Sequence, residues 1–281
     1  MTSGTAGVAV GVDAGGSGSR AVVVRDGLVV ARRDLGPINV LLHPDAVDRL
    51  AAAVTDAGAV AAGFGLAGLR SAEHARELTA ELARRTGATV AVGDDTEAAL
   101  AGAFAGRPGI VVIAGTGSGA AGRDAAGRTV RVGGHGFLLG DEGGGYWIGR
   151  EAVRAALRAA DGTGPVTALS AMVETAFRRL LDAEREVHER PTDRQLLARL
   201  VPAVALAARG GDAEAGRILA EAAGHLVDLA EAVRARLGPL PVAGVGGIFR
   251  CAPVRDAFAA ATGAVPPAEP PELGALRLFD R

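Results

Sequence analysis

Two short stretches carry the chemistry of a phosphate site: Gly15-Gly16-Ser17-Gly18-Ser19 and Gly115-Thr116-Gly117-Ser118-Gly119. A phosphate chain needs many donors at close range. Glycine turns bring backbone N–H groups up to it with no side chain in the way, and small hydroxyls add further donors. Each stretch lies between two strand-like runs, so each reads as a hairpin. That separates both from the dinucleotide fingerprint, which needs a helix after its glycines. One glycine-serine hairpin is usually only a turn. Two at matching places of a repeat could clamp one triphosphate from both sides, with Gly15, Gly16, Ser17, Thr116, Gly117 and Ser118 as the contacts. Gly246 and Gly247, after the last strand-like run, could let an adenine or ribose lie against bare backbone, or could be a plain strand-to-helix turn.

Carboxylates stand beside these turns. Asp13 directly precedes the first hairpin. Next to phosphate it would be repelled unless a cation lay between them, which points to Mg²⁺ held through water; otherwise it is a turn aspartate bonding its own backbone. Asp94-Asp95 follows a strand and precedes a helix, at the carboxyl end where such sheets bind ligands. Either could cap the helix or accept a proton from a sugar hydroxyl, a poor nucleophile at neutral pH. Asp141-Glu142 lies in the glycine-rich stretch from Gly133 to Gly145, a backbone costly to order without a purpose. Closing on a polyol is one such purpose, and Asn39 and His135 have the donors and acceptors for it, although His135 could merely pack. His43, His74, His188 and His225 show no metal spacing and read as surface or core residues.

The elements that must position these residues recur. Val8 to Asp13, Arg20 to Arg25 and Leu28 to Arg33 read as strands, with Asp26-Gly27 as a hairpin turn. A helix from Pro44 to about Ala57, a strand from Ala59 to Leu66, a helix after Ser71, a strand from Thr89 to Val92 and a helix from Thr96 to Ala105 follow. The order then restarts with strands Gly109 to Ala114, Ala120 to Arg123 and Arg128 to Val132, and a helix from Tyr146 to Ala160. Helical periodicity covers Val166 to Arg185, Asp193 to Arg209 and Ala213 to Leu237. Leu240 to Val245 returns as a strand, Cys251 to Thr262 as a helix, and a last helix starts near Glu272. The repeat predicts an α/β protein of two lobes: residues 1–105 with the tail 270–281 packed on them, and residues 106–269 with a helical insertion.

Composition narrows the chemistry. All 30 basic residues are arginine, so a Walker-A loop, a protein-kinase strand lysine and Schiff-base catalysis are excluded. The net charge of −2 comes without like-charge blocks, so neither nucleic acid nor a membrane surface is an expected partner. The stretch Met1 to Gly7 has no basic or apolar region of a signal peptide. The longest uncharged apolar run, Ala57 to Leu69, is too short to span a bilayer. A single cysteine, Cys251, rules out an intrachain disulfide and fits a reducing cytoplasm.

Val12-Asp13-Ala14-Gly15-Gly16-Ser17, Gly115-Thr116-Gly117-Ser118, Gly140-Asp141-Glu142-Gly143, Val245-Gly246-Gly247 and the ending Pro271-Glu272-Leu273-Gly274-Ala275-Leu276 together resemble the BadF/BadG/BcrA/BcrD ATPase family. Within it the chain is most similar to the N-acetylglucosamine kinases, over nearly its whole length. The resemblance implies the duplicated ribonuclease H-like, or actin/hexokinase-like, fold with a cleft between its lobes. It implies ATP with Mg²⁺, a small-molecule sugar and a homodimer. By position it makes Ser17 and Thr116 ATP contacts and Ala198 a neighbour of the adenine. It makes Asn39, Gly134, His135, Gly136 and Asp141 sugar contacts and Asp95 the catalytic base. The expected reaction is phosphorylation of an amino sugar, N-acetylglucosamine at its 6-hydroxyl, with glucosamine kinase or an ATPase acting on another partner as alternatives. His135 replaces a tryptophan of a relative, which bears on sugar identity. The activator branch shares an iron–sulfur cluster between subunits through two cysteines from each, and the lone Cys251 argues against that branch.

Overall fold

The computed structural model describes residues 7–280. Met1 to Ala6, on which most of the leader reading rests, lie outside the described residues. The chain forms two compact units. The first takes the chain up to Gly109, a short segment Arg123–Gly127, and the chain from Pro266 onward; the second takes Ile110–Gly122 and Arg128–Val265.

Unit one begins β1 (Val8–Gly15), β2 (Gly18–Arg25), β3 (Leu28–Asp34), α1 (Ala46–Thr55), β4 (Ala61–Leu66), α2 (Ala72–Thr86), β5 (Thr89–Asp94) and α3 (Asp95–Ala103). Its sheet has the order β3-β2-β1-β4-β5, with β1 antiparallel to β2 and parallel to β4. Unit two holds β6 (Gly109–Ala114), β7 (Ser118–Arg123), β8 (Thr129–Gly133), α4 (Gly145–Ala160), α5 (Leu169–Phe177), α6 (Leu180–Glu189), α7 (Gln195–Ala198), α8 (Val201–Arg209), α9 (Ala213–Leu237), β9 (Val242–Val245) and α10 (Ala252–Thr262). Its sheet, β8-β7-β6-β9, repeats the first without a fifth strand, and β9 runs parallel to β6. The chain then returns to unit one as α11 (Pro271–Leu276) and a 3₁₀ turn, Arg277–Asp280.

The alternation along β1 decides how unit one packs. Successive strand residues face opposite ways. Val10, Val12 and Ala14, with Ala62, Phe64 and Leu66 of β4, form the core with Leu50 and Val54 of α1 and Leu78 and Leu82 of α2. The other face carries Gly11 opposite Gly63 and Asp13 opposite Gly65. That bare face lets α3 and α11 lie against the sheet backbone. A Cβ at Gly11 would be 2.0 Å from the Glu272 carbonyl oxygen, and one at Gly63 would be 2.1 Å from that of Ala275. The two helices also meet each other closely, since a Cβ at Gly274 would be 2.0 Å from the Ala98 carbonyl oxygen.

Unit two has a hydrophobic core that includes Ile110, Val112, Ile148, Leu219, Leu226 and Phe258. Two expected helices are each split. Val166 to Arg185 is α5 and α6, separated at Arg178, whose φ is 70°. The turn brings Phe177 and Ala183 into one small core with Leu196 and Leu200, so both pieces keep apolar spacing and the break leaves no mark in the period. Asp193 to Arg209 is α7 and α8, with Pro202 in the first turn of α8, where its missing N–H costs nothing. Gly246 and Gly247 lead into a 3₁₀ turn, Gly247–Arg250, before α10 begins. No helix among the described residues is long and apolar enough to cross a membrane.

Because the atoms facing Gly63 belong to backbone, no rotamer change can make room for a side chain there. Gly63→Ala should cost about 3 kcal/mol of stability. Gly216→Ala, on exposed α9 surface with open space around it, should gain about 0.5–1 kcal/mol. Denaturant unfolding of both variants is the check, and a Gly63→Ala protein as stable as the parent would show that α11 does not rest on β4.

Candidate active site

In unit one, Asp13 sits on the bare face of β1, opposite Arg20 of β2 and Gly65 of β4. Burial pushes its carboxyl up to about 7; the charges of Asp95 and Glu272 push the same way, and Arg20 opposes them. The pair Asp94-Asp95 divides its work. Asp94 is the N-cap of α3: its Oδ1 accepts the Glu97 N–H at 2.7 Å, and Glu97 Oε2 accepts the Asp94 N–H at 3.1 Å, a capping box. Asp95 is the first residue of the helix, and its Oδ1 accepts the Thr96 N–H at 2.9 Å. Gly65 lets this turn lie on β4, since a Cβ there would be 2.4 Å from Ala98 Cβ.

Glu272 of α11 is 3% exposed. Its Oε1 accepts Arg32 Nη1 at 2.9 Å, while its buried Oε2 has no hydrogen-bond partner among the described residues. Asn39 follows β3 in a short loop. Its N–H donates to His43 Nδ1 at 3.1 Å, its Oδ1 accepts the Leu41 N–H at 2.9 Å, and it lies against Gly68, where φ is 91°. Gly16 also faces Asn39, with 3.8 Å from an added Cβ to Asn39 Nδ2.

Among the described residues no group of three or more His, Cys, Asp or Glu side chains could hold a metal ion unaided. Mg²⁺ seldom asks for that: it keeps most of its water and takes one or two carboxylates together with substrate phosphates. A carboxylate pushed up to about 7 by burial and, after it, by two like charges gains from a nearby cation, so Asp13 fits a hydrated Mg²⁺ delivered with a nucleotide.

In unit two the second glycine turn is tied to the loop that follows β8. The Gly115 carbonyl accepts the Gly145 N–H at 2.8 Å, the Thr116 carbonyl the Tyr146 N–H at 2.9 Å, and the Ser118 carbonyl the Gly134 N–H at 3.0 Å. Ser118 Oγ donates to the Glu142 carbonyl at 2.6 Å. Unit one shows the same backbone pattern, with the Gly15 carbonyl accepting from Ile38 and the Ser19 carbonyl from Leu35. Asp141 is 6% exposed and left-handed, with φ 63°. Burial pushes its carboxyl up, against the N–H groups of Ser118 and Gly136 that bond it and the charge of Arg194.

The expected site residues thus fall into two sets. Asp13, Gly15, Gly16, Ser17, Asn39 and Asp95 belong to unit one. Thr116, Gly117, Ser118, Gly134, His135, Gly136, Asp141, Ala198, Gly246 and Gly247 belong to unit two. Within unit two, Ala198 lies beside the turn: a Cβ at Gly145 would be 3.1 Å from the Gly115 carbonyl oxygen and 3.2 Å from Ala198 Cβ. Gly246, with φ 115°, is pressed to the end of β6, 2.3 Å from an added Cβ to the Ala114 carbonyl oxygen. His135 is exposed, and Gly134 and Gly136 have φ of 70° and 82°. Three neighbours of these residues have no site role in the sequence reading: Glu272, His43 and Gly68. Only Gly68 carries a local signal, a glycine just past a strand.

A model of the BadF/BadG/BcrA/BcrD ATPase family matches residues 10–271. The chain is 40% identical over 140 residues to an N-acetylmuramic acid/N-acetylglucosamine kinase of Clostridium acetobutylicum, a match covering 49% of this chain and 45% of that one. It is 36% identical over 133 residues to an N-acetyl-D-glucosamine kinase of Dictyostelium discoideum, covering 46% and 42%. The chain therefore aligns with less than half the length of either curated relative. Among solved structures, a Chromobacterium violaceum protein proposed to be an N-acetylglucosamine kinase superposes with a TM-score of 0.80 at 29% identity, over 97% of this chain and 99% of that one. A ROK family glucokinase from Streptomyces griseus, solved with glucose and AMPPNP, superposes at 0.66 and 19% identity over 98% of both chains, a likeness of fold.

The Asp13 carboxyl gives a pH signature. Its folded value of about 7 lies above the ordinary 3.8. Below about pH 4 the group is protonated in folded and unfolded chains alike, and it costs nothing. As pH rises the unfolded chain ionises first, so stability falls until about pH 7 and stays low above it. The penalty at pH 8 is of the order of 4 kcal/mol. Asp13→Asn should therefore melt higher than the parent at pH 8 without nucleotide or metal, and the two should converge near pH 4. Equal melting temperatures at pH 8 would show that the carboxylate is not held at a cost.

Proposed function

The chain belongs to the BadF/BadG/BcrA/BcrD ATPase family, and on that premise we propose that it is an ATP-dependent sugar kinase whose acceptor is N-acetylglucosamine and whose product carries phosphate on the 6-hydroxyl. One observation carries the reading. Asp94 caps α3, so Asp95 is released from that task at the carboxyl end of β5, in the same electrostatic neighbourhood as Asp13. Asp95 Oδ1 accepts the Thr96 N–H at 2.9 Å, and a positioned carboxylate of this kind is the group type that serves as general base to a sugar hydroxyl. The kinase names of the two curated relatives support the same reaction class.

The roles follow from that assignment. Gly15, Gly16 and Ser17 of the first turn, with Thr116 and Gly117 of the second, bind the phosphates through backbone N–H and hydroxyl groups. Ala198, Gly246 and Gly247 flank the nucleoside. Asn39, Gly134, His135, Gly136 and Asp141 orient the sugar. Asp95 takes the proton of the attacking hydroxyl as the oxygen bonds to the γ-phosphorus and ADP leaves. Asp13 would hold a hydrated Mg²⁺, which would supply charge neutralisation to the phosphoryl transfer. Ser118 belongs to the second turn, but its N–H bonds Asp141 and its hydroxyl bonds Glu142, so it acts inside unit two.

A coupled ADP-release assay with Mg-ATP and a panel of N-acetylglucosamine, glucosamine, N-acetylmuramic acid and glucose tests the function, and N-acetylglucosamine should give the highest kcat/KM. If no sugar lifts ADP release above the water background, the reading fails. Asp95→Asn should lower kcat by about 10²–10⁴ with an unchanged melting temperature. Asp94→Asn keeps an N-capping side chain and should stay within a few-fold of the parent. A large loss in Asp94→Asn alone would move the base to that residue.

A further inference from the structure

The loop between β8 and α4 is pinned to the second glycine turn at both ends and open in between. Gly134 is held by the Ser118 carbonyl, and Gly145 and Tyr146 by the carbonyls of Gly115 and Thr116. Between these anchors Leu138 and Leu139 are 81% and 83% exposed. Phe137 leans edge-on against Tyr146, with ring centroids 5.0 Å apart. Two side chains add to the backbone ties. Ser118 Oγ reaches the Glu142 carbonyl, and the Asp141 carboxylate bonds the Ser118 N–H. A Cβ at Gly117 would be 2.3 Å from Asp141 Oδ2, so the turn and the carboxylate are in direct contact.

The turn and the loop therefore cannot shift independently. We propose that Ser118 is a positioning residue that couples the two substrates: through its hydroxyl and N–H it passes the ordering of the phosphate turn to the acceptor loop, so that nucleotide and sugar each tighten the binding of the other. The coupling rests on the assignment of phosphate to the turn and sugar to the loop. Its physical basis is shared ordering. A ligand that rigidifies the turn removes part of the entropy cost that the second ligand would otherwise meet in the loop. Linkage makes the effect reciprocal, with factors of about 5–150 typical of such couplings. Removing one hydrogen bond should reduce the factor by about fivefold.

Two measurements test the proposal. Calorimetry gives the affinity for N-acetylglucosamine with and without Mg-AMPPNP, and for Mg-AMPPNP with and without the sugar. The parent should show one coupling factor in both directions, at least about fivefold. In Ser118→Ala that factor should fall by about fivefold while each single-ligand affinity stays within about threefold, and Ser118→Thr should restore it. A coupling factor unchanged in Ser118→Ala overturns the proposal, as does a loss of Mg-AMPPNP affinity alone, which would put the hydroxyl on the phosphates. Hydrogen exchange with Mg-AMPPNP and no sugar is the second measurement. The nucleotide analogue should slow exchange across residues 134–145 in the parent and in Glu142→Ala, which keeps the accepting carbonyl, but not in Ser118→Ala. Unchanged exchange in the parent overturns the coupling even if every sugar assay succeeds. If no sugar binds the parent, the kinase reading fails on that result, and the exchange experiment still decides whether the turn orders the loop.

Discussion

Backbone meets backbone where α3 and α11 lie on the sheet of unit one, and the placement of the carboxylates depends on that approach. Gly11, Gly63 and Gly65 occupy one face of β1 and β4, and any side chain at the first two would enter a carbonyl of α11. Helices usually rest on a layer of aliphatic side chains that holds them well off a sheet. Here the layer is missing on one side only, and the full aliphatic load falls on the opposite face, with Val10, Val12, Phe64 and Leu66 against α1 and α2. The result is one sheet with an apolar side-chain layer on one face and bare backbone on the other. The bare face brings the first turn of α3, with Asp95, and the buried Glu272 to the neighbourhood of Asp13.

That gathering has an electrostatic consequence. Three carboxyl groups share a partly desolvated region, with Arg20 facing Asp13 and Arg32 paired to Glu272. Arg32 is itself largely exposed and engages only one oxygen of Glu272. A packed hydrophobic protein would avoid such an arrangement, because each buried charge must be paired or neutralised. It makes sense where a cation arrives with the substrate. Proton uptake by Asp13 relieves the repulsion in the free protein, and the cation we propose there would relieve it in the same way.

Much of this architecture is legible in the amino-acid sequence. The period-two alternation of β1, the two glycine turns and the order of the strands all stand in local sequence. The division between Asp94 and Asp95 stays open when the residues are read alone; the capping box of Asp94 and Glu97 settles which of the two caps α3. The break at Arg178 is not legible, because neither glycine nor proline marks it and the helices on either side feed one small core. Glu272 is not legible for a different reason: its ion-pair partner Arg32 lies 240 residues away, and only the return of the chain to unit one joins them. The direction of Ser118 is likewise a matter of tertiary structure. A serine in a glycine turn can face outward or inward, and the register of the turn with the loop beyond β8 decides which.

The two units repeat more than strand order. In each, a carbonyl of the glycine turn and the carbonyl of a serine near the start of the second strand accept N–H groups from the segment beyond the third strand: Gly15 and Ser19 from Ile38 and Leu35, Gly115 and Ser118 from Gly145 and Gly134. A duplicated backbone scaffold explains why both turns have loops hung on them. The side chains then set the units apart. In unit one Ser19 is buried and its hydroxyl turns back toward the Gly15 carbonyl at 3.4 Å, so the turn is braced on itself. In unit two the corresponding hydroxyl reaches outward to Glu142 and fastens a longer, glycine-rich loop. The first turn is thereby held by its own strand pair beside a fixed carboxylate, whereas the second is held by the loop it anchors. Both turns carry backbone ties to their loops, and in the second a serine hydroxyl adds the side-chain tie on which the proposed coupling rests.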